Sequence, residues 1–214
     1  MCSSDLGNAF NYIAFYSLSG FDFTSTTKKN LLAAFIRRAK TSYGINMVGA
    51  VGENSTRFFN EILPYNNGRT SQLERFDVFN FEFEWWNSNS IANLYCNKYL
   101  IPNNLPCDTA GAWAFAWQEF RKIDSLANAN GLMSENYLGW PDRGRMQDLC
   151  SIADRILLHA YLQDDSSLYS YSRTRLTYAA SIGSPVTILP IFCAKPAYMG
   201  PWLDTNSITK PYQT

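Results

Sequence analysis

Between Phe79 and Trp86 the chain alternates without a break, Phe-Asn-Phe-Glu-Phe-Glu-Trp-Trp, and few folds have a use for such a segment. As a β-strand it sends Phe79, Phe81, Phe83 and Trp85 to one face and Asn80, Glu82, Glu84 and Trp86 to the other. A helix would scatter both sets around its circumference, and the aromatic content itself favours a strand. Neighbours in the polar row stand about 7 Å apart at the strand rise. An isolated carboxylate in a low-dielectric interior is very costly to desolvate, so this row needs either water or a site. An edge strand with one solvated face supplies the first. A barrel or cleft strand that aims Glu84 and Trp86 into a site supplies the second. Trp86 continuing the polar row, and four large aromatics needing cover behind it, favour the cleft.

The rest of the chain alternates apolar runs with helical patterns. Strands are predicted near 12–18, 45–51, 77–85, 136–140, 154–162 and 186–193. Between them, Thr26 or Thr27 caps a helix over 28–43 with Leu31, Leu32, Phe35, Ile36 and Ala39 at helical spacing, and Gly44 ends it. Asn54 or Ser55 caps a shorter helix to about 62. After an irregular insertion over 87–108, helices are expected over 110–128, 146–153 and 167–182. Continuously apolar strands separated by helices mark a parallel sheet with helices packed outside it. An open doubly wound sheet would satisfy this, but no Gly-rich phosphate loop follows the first strand. A (β/α)8 TIM-type barrel accounts for more, because the strands end in Tyr16, Glu53, Glu84 with Trp86, Trp140, Tyr161 and Lys195, at the rim where such barrels build their sites.

The 214 residues are 46% hydrophobic and 15% aromatic, enough for one substantial core. Eighteen basic and eighteen acidic side chains cancel, and no basic run occurs, which argues against nucleic acid as a partner. Many aromatics with few charges suit stacking on sugars or other flat neutral ligands. No apolar stretch is long enough to span a bilayer. One histidine, His159, makes a His-based metal site or a His-dependent nucleophile unpromising, and it reads as a satisfied core residue. No metal and no cofactor is expected, and oligomeric state is left open. Of five cysteines, Cys96 and Cys107 flank a loop with two prolines and are either a disulfide or two thiols. Met1 to Leu6 has the character of a non-native leader, so residues 7–214 are read as a single, partial TIM-barrel domain.

At the central strand the chain resembles the family-18 glycoside hydrolases, the chitinases and endo-β-N-acetylglucosaminidases. Their signature, Asp-x-x-Asp-x-Asp-x-Glu on the fourth strand of a (β/α)8 barrel, here reads Asp77-x-x-Asn80-x-Glu82-x-Glu84. Gly49–Gly52 resembles a degraded form of the family's Ser-x-Gly-Gly, with the last Gly retained. Tyr161 falls at the Tyr of Met-x-Tyr-Asp, with His159 and Leu162 in place of its neighbours. In that register the six strands are the second to the seventh, and the first and eighth lie outside the sequence.

The resemblance implies an exported protein, secreted or at the cell surface, that acts on N-acetylglucosamine-containing glycans by substrate-assisted retaining hydrolysis. Glu84 would be the general acid, Glu82 would orient the acetamide, and Tyr161 would donate a hydrogen bond to it. Asp77, Asn80, Trp86, Trp140, Tyr16 and Glu53 are the candidates for substrate binding. Glu82 is a methylene longer than the family's Asp, and Asn80 removes a charge from the row. Two rival expectations follow: a carbohydrate-binding, lectin-like barrel without turnover, and a glycosidase of another type that pairs Glu84 with a carboxylate such as Glu53.

Overall fold

The computed structural model describes residues 10–183, 185–193 and 195–204. The proposed leader over 1–6 and the last residues lie outside that range. Six strands are present among the described residues: β1 (Tyr12–Phe15), β2 (Met47–Gly52), β3 (Val78–Glu82), β4 (Met133–Leu138), β5 (Arg155–His159) and β6 (Thr187–Ile191). The sheet order is the chain order, and the pairs β1–β2, β2–β3, β4–β5 and β5–β6 are all parallel. This is an α/β fold with no reversal of strand order. Its contacts divide into two compact units, residues up to Glu82 with Gln118–Ser134, and Phe83–Trp117 with Glu135 onward.

In the first unit, helix α1 (Thr26–Ser42) links β1 to β2, and a helical run over 55–67, α2, leads toward β3. The cap of α1 is Ser25, one residue before the expected threonines, its side chain accepting from the Lys28 N–H. Leu32, Ile36 and Ala39 bury one face of α1, while Leu31 and Phe35 are more than half exposed, narrowing the apolar stripe expected there. Gly44, with φ of +69°, turns the chain out of α1, a conformation that glycine adopts without Cβ strain.

The alternation of β3 is realised in its side-chain contacts. Phe79 packs on Phe58 of α2, with ring centroids 4.8 Å apart. Phe81 stacks on Phe120 of helix α4 (Thr109–Ala129) at 6.0 Å. Asn80 is fully buried on the opposite face, and Glu82 is half-buried at the strand's end. At the other end of β3, Lys40 Nζ meets Asp77 Oδ2 at 2.7 Å and the Arg75 carbonyl at 3.0 Å. Asp77 Oδ2 also accepts from Val48 N–H at 2.8 Å, clasping α1, β2 and the start of β3 together. The first residue of β4 joins the same unit, Met133 N–H donating to the Asp77 carbonyl at 3.0 Å.

In the second unit, residues 88–103 are helical and form α3, where an irregular insertion was expected. Ile91, Tyr95 and Tyr99, four residues apart, supply its buried face. A disulfide joins Cys96 to Cys107, closing the loop between α3 and α4. Phe83 stacks on Tyr95 at 3.9 Å and meets Phe115 of α4 at 5.0 Å. The chain continues through α5 (Arg143–Cys150), α6 (Asp165–Ala180) and α7 (Gly200–Leu203).

β4 runs Met133–Leu138 rather than 136–140, so Trp140 lies beyond it, with a left-handed backbone at φ of +47°. On the face shared by β4 and β5, the buried carboxylate of Glu135 pairs with the buried guanidinium of Arg155. Ion pairs this deep are tolerated only with close, complementary geometry. Among the described residues no helix is long and apolar enough to cross a membrane.

Candidate functional site

Parallel strands end their hydrogen-bonded ladder on one side of a sheet, and the residues just past that end escape the pairing that holds the strand. Glu84 and Trp86 stand two and four residues past β3, and Tyr161 two past β5. All three belong to the second unit, where Trp86 and Tyr161 join the rings around His159 and the charge of Glu84 acts on that imidazole.

Glu84 is held by one oxygen. Its Oε2 accepts from Ser90 Oγ at 2.6 Å and from Asn87 Nδ2 at 2.9 Å, both at the start of α3. Its backbone N–H donates to the Tyr95 hydroxyl at 3.2 Å. Asn87 does double duty, because its Oδ1 also caps α3 by accepting from the N–H groups of Asn89 and Ser90. Oε1 has no hydrogen-bond partner among the described residues. The carboxylate is therefore oriented through one oxygen with the other left to act.

Beside it stands a cluster of rings. Trp86 lies 6.2 Å from Tyr137 and 6.4 Å from His159. Tyr137 stacks on His159 at 5.5 Å, and Tyr161 meets His159 edge-on at 3.5 Å. Tyr198 extends the cluster, 5.5 Å from Tyr161. Burial holds His159 neutral down to about pH 4, against the partial opposition of the negative charge of Glu84. The site thus offers the carboxyl group of Glu84, a neutral imidazole and the partly exposed rings of Trp86 and Tyr161.

Gly139 makes this packing possible. A Cβ at that position would stand 2.9 Å from His159 Nδ1 and 2.9 Å from Trp86 Nε1, closer than real Cβ contacts come. The glycine lets both rings settle against the backbone just after β4.

Of the other expected site residues, Trp140 belongs to the second unit and Tyr16, Glu53, Asp77, Asn80 and Glu82 to the first. Trp140 is half exposed, and its ring rests on Tyr171 at 4.6 Å with Arg175 alongside, while the Trp140 backbone N–H donates to the Tyr171 hydroxyl. In the first unit, Tyr16 is exposed and Glu53 and Glu82 are half-buried, while Asn80 is fully buried. Asp77 sits at the start of β3, with both carboxylate oxygens committed to Lys40 and Val48. Its position is that of a structural clasp.

Sequence reasoning missed Tyr137, Gly139 and Tyr198, and assigned His159 to the core. A Tyr-x-Gly at the end of a predicted strand, opposite the His-x-Tyr of the next, was the available signal. Fold and cluster together define an α/β protein that gathers an acidic group and several aromatic ones at the C-terminal ends of its parallel strands. The chain matches no protein-family model and no curated protein.

Proposed function

We propose that this chain belongs to a (β/α)8 barrel of family-18 glycoside hydrolase type, which cleaves N-acetylglucosamine-containing glycans with Glu84 as general acid. The observation that carries the reading is the Glu84 carboxyl group, anchored through Oε2 and open at Oε1, two residues before Trp86, whose ring joins that of Tyr161 around His159. Protonated Glu84 gives its proton to the glycosidic oxygen as the bond to the anomeric carbon breaks. The substrate's own acetamide oxygen attacks that carbon and forms an oxazolinium ion. Water, deprotonated by Glu84, then opens the ion with net retention. The signature that the strand resembles gives Glu82 the part of balancing the developing positive charge of the acetamide, and Tyr161 that of donating a hydrogen bond to it.

A second reading, a lectin-like barrel that binds the same glycans without turnover, draws its support from Asn80 and Glu82. These replace two aspartates of the signature that the chain resembles, and misplacement of a catalytic group by about 1 Å costs on the order of 10²-fold in rate. The Cys96–Cys107 disulfide fits either reading in an oxidising, secreted or cell-surface setting.

Glu84→Gln tests the first reading. The amide keeps the shape and most hydrogen bonds but has no acidic proton, so turnover of chitin oligosaccharides should fall about 10²–10⁴-fold while binding persists. An unchanged rate defeats Glu84 as the acid. Saturable binding by a wild-type protein that shows no turnover leaves the lectin-like barrel.

A further inference from the structure

His159 is the last residue of β5, and its imidazole is unusual for a ring this enclosed. Nδ1 is fully buried without a hydrogen-bond partner, and no described residue bonds to Nε2 either. Nε2 is the nitrogen that keeps contact with solvent, since Nδ1 alone of the pair is both sealed and unsatisfied. Core histidines are held by hydrogen bonds, because an unsatisfied buried polar atom costs about 1–3 kcal/mol.

The surroundings decide where the single proton of the neutral ring resides. Nδ1 faces Gly139 and the Trp86 indole edge and has no hydrogen-bond partner there. A proton on Nδ1 would be a buried, unsatisfied N–H, whereas a proton on Nε2 meets water or a ligand. The ring is thus an Nε2–H donor, fixed in orientation by Tyr161 at 3.5 Å and Tyr137 at 5.5 Å, beside the carboxylate of Glu84.

We propose that His159 is a ligand-contacting residue, which donates a hydrogen bond from Nε2–H to an acceptor oxygen of an N-acetylglucosamine unit lying against Trp86 and Tyr161, with the buried Tyr137 backing the imidazole. The inference rests on the glycan reading above and adds to it a donor on the strand that also presents Tyr161. Sugars present hydroxyl and acetamide oxygens along the edges of apolar ring faces, and a neutral donor set among aromatic rings matches that pattern. A neutral donor also makes the contact independent of pH across the range where the ring stays uncharged.

The chain has a single histidine, so the imidazole resonances of untagged protein are unambiguous. Long-range proton–nitrogen spectra of histidine-labelled protein, titrated with chitotetraose, report the tautomer and the contact. Tryptophan fluorescence follows binding in the same samples. The free protein should show the Nε2–H tautomer, and the Nε2 resonance should move as fluorescence saturates. His159→Met should weaken binding about tenfold, the worth of one hydrogen bond, and His159→Gln should recover part of that through its amide N–H. Saturating fluorescence with a static imidazole signal, or an Nδ1–H tautomer, overturns the role of His159 and leaves the glycan reading intact. No saturable binding of any N-acetylglucosamine oligosaccharide overturns that reading and this inference together. The wild-type spectra decide the matter even if the substituted proteins fail to fold.

Discussion

Ser90 Oγ donates a 2.6 Å hydrogen bond to Oε2 of Glu84, six residues upstream, and so ties the start of α3 to the carboxylate. Asn87 adds a second bond to the same oxygen while capping the helix. Helix start and carboxyl group are one mechanical unit, so a change at Ser90 should be felt at both. Ser90→Ala should lower stability by about 1–2 kcal/mol in denaturant titrations, the cost of a lost bond to a charged group. Under the hydrolase reading it should also reduce kcat about tenfold with little change in KM, because a loosened acid affects the chemical step rather than ground-state binding. A stability loss with unaltered kcat would show that Oε2 anchoring is structural only.

Gly139→Ala places a methyl group where the edges of two rings already lie, 2.9 Å from both His159 Nδ1 and Trp86 Nε1. Neither atom is the end of a flexible chain, so the rings must move as bodies. Overpacking of this kind costs about 1–3 kcal/mol. The indole environment of Trp86 should change as well, and ligand affinity should fall by more than the tenfold expected for His159→Met. Fluorescence emission and an oligosaccharide titration read both effects, and a variant with unchanged emission and affinity would detach Gly139 from the site.

Much of the architecture was legible because it depends on local pattern. Apolar runs with intervening helical spacing place all six strands within a few residues and give their order. The period-two alternation at 79–86 gives the facing of Phe79, Phe81 and Phe83, since inverting it would bury carboxylates under helices. The site was legible only in part, for reasons that differ by residue. Asn-rich 87–104 looked irregular, yet its buried Ile91, Tyr95 and Tyr99 keep a four-residue spacing that α3 uses through π-type turns. Asp77 matched a signature position, but its role follows from Lys40, which is distant in sequence and close only in the fold. The contacts of His159 with Tyr137 and Trp86 join three separate segments, which no local pattern announces.

The neutral state of His159 carries a pH signature. Its value lies at about 4 in the folded protein against an ordinary 6.5, with burial as the main cause and the charge of Glu84 opposing it. Well above pH 6.5 both folded and unfolded chains hold it neutral, and its contribution to pH dependence fades. As pH falls from 6.5 toward 4, the unfolded chain takes up a proton that the folded one refuses, so stability is lost across that window. After allowance for solvent screening of a partly exposed ring, the loss should be about 1–2 kcal/mol between pH 7 and 4.5. Hydrogen bonds and Lys122 hold Glu119 below its ordinary value despite opposing burial, and its stability contribution is lost only in more acidic solution, as pH falls below about 4.5. Denaturant titrations of wild type and His159→Met should diverge in slope between pH 6.5 and 4.5, with the wild type steeper. Parallel slopes would assign the acid sensitivity to other groups.

The choice between enzyme and binder turns on Glu82, the last residue of β3, two positions before the proposed acid. The signature that this strand resembles has aspartate there, one methylene shorter. If the wild-type chain is a hydrolase weakened by an overlong helper, Glu82→Asp brings the carboxylate to the reach that an acetamide partner needs. Near-attack geometry is steep in distance, so a recovered ångström should raise kcat on chitin oligosaccharides by about 10-fold or more, with KM nearly constant. The strand should tolerate the change, since Glu82 is half-buried at the strand's end rather than packed within it. Glu84→Gln in the Glu82→Asp background then serves as the control, and should abolish whatever turnover the first change creates. A protein that binds these oligosaccharides, shows no turnover and gains none from Glu82→Asp is a binder, and the carboxylate of Glu84 then serves to orient a sugar hydroxyl rather than to protonate a leaving group.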